Sequence, residues 1–187
     1  MQQYEHFGAA GHYDDWRDDS WRFQSSRRQD SLLAAAVKGA IAGLAGTAIV
    51  SVGLQVGPRL MERAGALPEG ASDAEQPTEK LADTIAEGTF DTELTEGPRV
   101  AAGQAIHWGY GTAWGAVYGV AQRELNLPAP VAGALFGGLI SGIASTIVPA
   151  MNLTPPPAEQ PLAMNLFMGG INMVYGEAVA VVYDMLE

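Results

Sequence analysis

The sequence predicts an all-α, polytopic membrane protein, a bundle of four transmembrane helices with an N-terminal extramembrane arm and a short amphipathic helix in its first loop. Three observations predict it. The apolar residues gather in four blocks with nearly all the charge between them, so a mean hydropathy of +0.05 over 187 residues hides a strongly segregated pattern. Each block is about as long as the ~20 residues that a helix needs to cross a ~30 Å hydrocarbon core. Glycines recur inside the blocks at the spacing of one helix face, as they do where membrane helices pack backbone to backbone.

Residues 1–31 form a polar arm in which Asp14, Asp15, Arg17, Asp18, Asp19, Arg22, Arg27 and Arg28 alternate with Tyr4, Phe7, Tyr13, Trp16, Trp21 and Phe23. Tails that stay free in water are poor in aromatic residues, because nothing there buries a ring. The arm is therefore expected to dock, with Tyr13, Trp16, Trp21, Arg22 and Phe23 as the partner-binding residues. A short interfacial helix leading into the first span is the equally open alternative. The opening MQQYEHFGAAGHYDD is acidic and aromatic and does not have the form of a cleavable signal.

Residues 32–187 form the transmembrane domain, with spans over about 32–56, 100–120, 129–148 and 162–185. In the first, Lys38 lies near the start and is expected to snorkel to the headgroups, while Gly39 and Gly43 offer a packing edge. The acidic stretch 58–97 follows. Within it PTEKLADTIAEG is expected to be a short amphipathic helix with Pro77 in the first turn, Leu81 and Ile85 on one face and Gly88 as its stop, lying on the membrane or on a partner. Its carboxylates lack the DxDxDG spacing of a calcium loop, so a solvated acidic surface is expected.

In the second span Gly111, Gly115 and Gly119 make one small-residue stripe, and Gly103, His107, Trp114 and Tyr118 fall on the stripe beside it. The third carries Gly133 and Gly137 and is expected to end at Pro149. MNLTPPPAEQP then reads as a rigid, extended turn, because its proline run cannot be helical. The fourth span contains Glu177.

Two residues invite a chemical reading. His107 is the one histidine inside a span, where an imidazole can ligate a haem iron or a pigment magnesium, carry a proton, or simply bond a neighbouring helix. Glu177 is costly if it faces lipid, so it must face protein or water. A transport path through Glu177 and His107, and one satisfied polar cluster with Gln104, Asn165 and Asn172, are both open readings. So is a cofactor or polar cluster of His107, Trp114, Tyr118 and Glu177. No nucleotide-binding or hydrolase motif occurs, no catalytic residue or metal site is expected, and the absence of cysteine excludes thiolate chemistry. A net charge of -11 argues against a nucleic-acid partner.

The stretches IHWGYGTAWGAVYGVAQREL, VPAMNLTPPPAEQP and MGGINMVYGEAVAVV resemble the YagU-like family of small bacterial inner-membrane proteins, through His107, Tyr118, Pro149 and Leu153 to Pro156. The resemblance covers about half of the chain, outside the arm and the acidic loop. It implies a four-helix inner-membrane protein and no particular activity. Where family members place further histidines in the last two spans, this chain reads SGIAST and GGIN.

The expected function is therefore that of a non-catalytic accessory or stabilising subunit of a larger bacterial membrane complex of respiratory or photosynthetic type. Its partners would be other membrane subunits and lipids, and no cofactor is required. The alternatives are a small transporter or channel, and pigment, haem or lipid binding between the helices. Arg17, Arg22, Arg27, Arg28, Lys38 and Arg123 on one side outnumber Arg59, Arg63, Lys80 and Arg99 on the other, which places both termini in the cytoplasm by the positive-inside rule.

Overall fold

A computed structural model describes residues 31–187; the arm at 1–30, with its expected anchors Tyr13, Trp16, Trp21, Arg22 and Phe23, lies outside the described residues. Five helices follow in order: α1 (Leu32–Arg63), α2 (Pro77–Phe90), α3 (Glu96–Leu125), α4 (Ala129–Ala150) and α5 (Leu162–Leu186). Among the described residues there is no strand. Three of the helices, α1, α4 and α5, are long and apolar enough to cross a membrane. The expected second span, α3, is long enough but falls short in apolarity, because histidine, glutamine, tryptophan, tyrosine and glycine occupy much of it.

Ser31 opens α1 by accepting the Ala34 amide at 3.1 Å, as an N-cap does. The helix then outruns the expected span: Pro58 sits inside it and the acidic loop begins only after Arg63. Pro58 is tolerated because a proline one turn or so from a helix end removes one ladder bond and little else. The same reasoning corrects the end expected at Pro149, which lies within the last turn of α4, with Met151 as the cap. The turn after it is extended at Pro156 but closes into one short 3-10 turn at Pro157–Glu159.

α2 does not stop at Gly88. It ends at Asp91, whose left-handed backbone (φ 51°) is a conformation that aspartate adopts more readily than most residues. Its buried face is also different from the expected one, for Ala82 and Ala86 are covered whereas Ile85 is 49% exposed. Small residues let α2 approach α3 closely, so that the Glu79 backbone lies against Gly103, where a Cβ would come within 3.0 Å of the Glu79 nitrogen.

The long helices alternate in direction. Ala35 of α1 meets Gly119 of α3, Gly43 meets Gly111 and Gly115, and Thr47 meets Gly111, so α1 and α3 run antiparallel along a shared glycine seam. α1 is likewise antiparallel to α5, with Gly46 on Tyr175, Gly53 on Ile171 and Gly57 on Phe167. α4 and α5 close through Gly133, Gly137 and Gly176. The order across the bundle is thus α3, α1, α5, α4, with α2 on the outer end of α3.

The packing is small-inside and large-outside. On α1 the buried positions are Ala35, Gly39, Ala42, Gly43, Gly46, Thr47 and Val50, while Leu33 is 74% and Val52 63% exposed. A water-soluble helix buries its large aliphatic residues, because about 25 cal/mol per Å² of apolar surface rewards it. Here that stripe faces outward.

Candidate functional site

The residues singled out by their chemistry fall into three separate places. His107 belongs to the α1–α3 seam. Its Nε2 lies 3.0 Å from the Ser51 hydroxyl, and the Ser51 hydroxyl in turn donates to the Thr47 carbonyl at 2.7 Å. A serine has one proton to give. With that proton spent on Thr47, Ser51 accepts from His107, which makes His107 an Nε2–H donor. The nitrogen facing the neighbouring helix is therefore occupied, and only Nδ1 is left to meet a metal or a pigment.

Trp114 and Tyr118, expected on the same stripe as His107, turn away from it. Trp114 packs edge-on to Phe136 of α4 with ring centroids 6.2 Å apart, and Tyr118 lies 5.0 Å from the same ring. Tyr118 also meets Tyr183 of α5 edge-on at 5.6 Å. These rings, with Tyr175, form an aromatic core where α3, α4 and α5 converge. The rings pack edge-on or tilted against one another and so tie α3, α4 and α5 together.

Glu177 sits elsewhere again, on the α4–α5 seam, half-buried with its carboxyl group over Gly133; a Cβ at Gly133 would come within 2.8 Å of Oε2. It faces α4, and His107 faces α1. The structure does not bring the two together. Nor do the five polar residues of the spans form one cluster: Asn165 donates to the Pro157 carbonyl at 2.7 Å and Gln104 is exposed. Among the described residues, no three histidine, aspartate or glutamate side chains come together as a metal site.

Two further polar ties between helices are ones that periodicity alone did not single out. The Tyr175 hydroxyl donates to the Gly111 carbonyl, and the Tyr183 hydroxyl donates to the Gly119 carbonyl at 3.2 Å. The signal was present as a matched spacing: the two tyrosines are two turns apart on α5, and their two glycines are two turns apart on α3. A glycine leaves its carbonyl open to a long side chain from a neighbouring helix, so the glycine stripe serves twice, for close approach and as an acceptor ladder. Tyr118, 4% exposed, has no partner for its hydroxyl among the described residues.

Outside the bundle core, the outward face of α4 carries a shallow open groove lined by Gly138, Leu139, Gly142, Ile143, Thr146 and Ile147. No atom lies within 4 Å of where a Cβ at Gly138 or Gly142 would be. At the far end of α1, the Glu62 carboxylate accepts from the backbone amides of Gly70 and Ser72 and clasps the following loop. The Ser72 side chain and those amides hold its pKa below the ordinary carboxylate value.

The chain matches no protein-family model, no curated protein and no solved structure.

Proposed function

We propose that the chain is a four-span membrane protein serving as a non-catalytic accessory or stabilising subunit of a larger bacterial inner-membrane complex. The observation that carries this reading is the way its polar side chains are spent. His107 ties α3 to α1, and Tyr175 and Tyr183 tie α5 to α3, so groups that would otherwise do chemistry hold helices together.

The fourth span is α3. From Val100 to Gln122 it carries no charge, a run of about 23 residues or ~35 Å of helix. Its seam with α1 extends from Ala35 and Gly119 to Ser51 and His107, passing Lys38 and covering more than half of the uncharged run 39–58. A helix held against a membrane span over that length lies at the same depth. Carrying the register two turns further sets Arg59 level with Arg99, so both uncharged runs end on one plane. The outward-facing Leu33, Ile41, Val52, Leu135 and Leu139 have lipid as their natural solvent. The YagU-like resemblance agrees with this arrangement.

The separation of Glu177 from His107 removes the shared path on which the transport reading stood, and the occupied Nε2 of His107 weakens the haem or pigment reading. Partner contact is assigned to the aromatic arm and to glycine edges left open, and both termini to the cytoplasm. The deciding experiment extracts the protein from its native membrane in mild detergent and measures particle mass, co-eluting chains and visible absorption together. Elution within a larger complex, lost on deletion of residues 1–31, is the expected result. A colourless particle containing this chain alone would refute the reading.

A further inference from the structure

We infer that α2 is a strap, held onto the outer end of α3 by an electrostatic latch and able to detach while the bundle stays folded. The latch is Arg99, in the first turn of α3. Its Nη1 lies 3.4 Å from Asp83 Oδ2 and 3.6 Å from Glu75 Oε1.

The latch is slack. Asp83 Oδ1 and Arg99 Nε are both shut off from solvent, and neither has a hydrogen-bond partner among the described residues. A guanidinium and a carboxylate in good register make two parallel bonds, one of them through Nε or the second Nη. Here one long contact stands in for the fork while two buried polar atoms go without. Docking therefore carries a desolvation cost that it does not fully recover.

Little else holds α2 down. Its fully covered side chains are Ala82 and Ala86, the smallest that can be buried, whereas Ile85 is 49% and Phe90 73% exposed. Its main contact is with α3. The segments that tether it turn through left-handed residues, Gly65 and Gly70 before it and Asp91 after it. Elements with few buried contacts and solvent-exposed hydrogen bonds open first and alone.

Charge sets the direction of the response. Arg99 is flanked by Glu75, Asp83 and Glu96, with Glu79 and Glu87 on the same strap. Screening or removing Arg99 leaves the strap's carboxylates facing Glu96 with only the strap's own exposed Lys80 to offset them among the described residues, and the strap lifts. What it uncovers is Gly103, whose bare backbone now lies under the Glu79 main chain. The device is thus an ionic-strength-sensitive cover over the first turns of α3, and it operates whether or not α3 crosses a bilayer.

Amide hydrogen exchange on the full chain in detergent, read by mass spectrometry, tests this. Raising salt from about 0.1 M to about 1 M shortens the screening length from ~10 Å to ~3 Å. The amides of residues 81–90 should then exchange several-fold faster, with those of α1, α4 and α5 unchanged. Arg99→Gln should reproduce the effect at low salt and abolish the further response to salt, and Arg99→Asp combined with Asp83→Arg should restore protection. Unaltered exchange of α2 in Arg99→Gln overturns the inference. So does acceleration that spreads equally through the long helices, since that is global destabilisation.

Discussion

Three tyrosines at the centre of the bundle differ in what their hydroxyls do, and that difference fixes what each substitution should cost. Tyr175 and Tyr183 donate to the carbonyls of Gly111 and Gly119, whereas the Tyr118 hydroxyl is buried without a partner. A buried hydrogen bond contributes about 0.5–1.5 kcal/mol net, and an unsatisfied buried hydroxyl costs about 1–3 kcal/mol. Tyr175→Phe should therefore destabilise by about 1 kcal/mol or more, because it also orphans an acceptor, while Tyr118→Phe should be neutral or stabilising. Thermal or denaturant unfolding in detergent compares them, and a clear loss in Tyr118→Phe would show that its hydroxyl is satisfied after all. Glu62 gives a pH-dependent counterpart. Its folded pKa lies below the ordinary 4.5, so its clasp on Gly70 and Ser72 contributes stability that is present above that value and lost as pH falls through the lower, folded one. Proteolysis within residues 64–76 should accelerate on acidification below about 4.5, and Glu62→Gln should be cut fast at every pH. Equal, pH-independent cutting of both proteins would count against the clasp. At this scale the sequence was informative about identity and silent about partners. His107 stood out as a lone intramembrane histidine, but Ser51, which fixes its tautomer, lies on another helix and no local pattern links the two.

The glycines of the long helices fall into two kinds that look alike in sequence and differ in consequence. At Gly115 a Cβ would press on the Gly43 backbone and the Gly39 carbonyl, neither of which can move without parting α1 from α3. At Gly142 it would meet nothing within 4 Å. Gly115→Ala should then cost about 1–3 kcal/mol through overpacking. Gly142→Ala should gain up to about 1 kcal/mol, since alanine is the better helix former. Unfolding of the two variants side by side checks this, and equal effects would mean that the α1–α3 seam is looser than it is drawn here. Spacing made the stripes Gly39/Gly43, Gly111/Gly115/Gly119 and Gly133/Gly137 legible, because a four-residue repeat is a property of one helix. Which stripe meets which was not legible, because that depends on chain direction and loop length. For α2 the period was right and the face was wrong: hydrophobicity favoured Leu81 and Ile85, yet close approach to α3 selected Ala82 and Ala86. Helix ends were missed where proline was taken as a stop. Pro149 lies in the last turn of α4 and Pro58 five residues before the end of α1, so each helix gives up one ladder bond and still continues past its proline.

For the molecule as a whole the open quantity is the number of crossings, and it turns on α3. Average hydropathy counts tryptophan, tyrosine, histidine and glycine against a span, and α3 carries six glycines, two tryptophans, two tyrosines and His107, several of which make its contacts with α1, α4 and α5. Glycines and polar rings that tie a helix to its neighbours lower its average hydropathy whatever its depth, so the composition of α3 reports its seam with α1 more than its position. The block pattern of the sequence carried the membrane class, and the antiparallel register supplies the depth argument that averages miss. If α3 crosses, the loop at Ser72 and the turn at Asn126 lie on opposite sides of the membrane. The chain has no cysteine, so single cysteines can be placed without background. In sealed vesicles of one orientation, an impermeant maleimide should label one of Ser72→Cys and Asn126→Cys and leave the other until the vesicles are opened. Labelling of both, or protection of both, would place α3 on the surface, leave three crossings, and set Leu32 and Glu187 on opposite sides. The arm and the C-terminus would then contact different compartments, and an assembly partner gripping both ends from the cytoplasm would be ruled out.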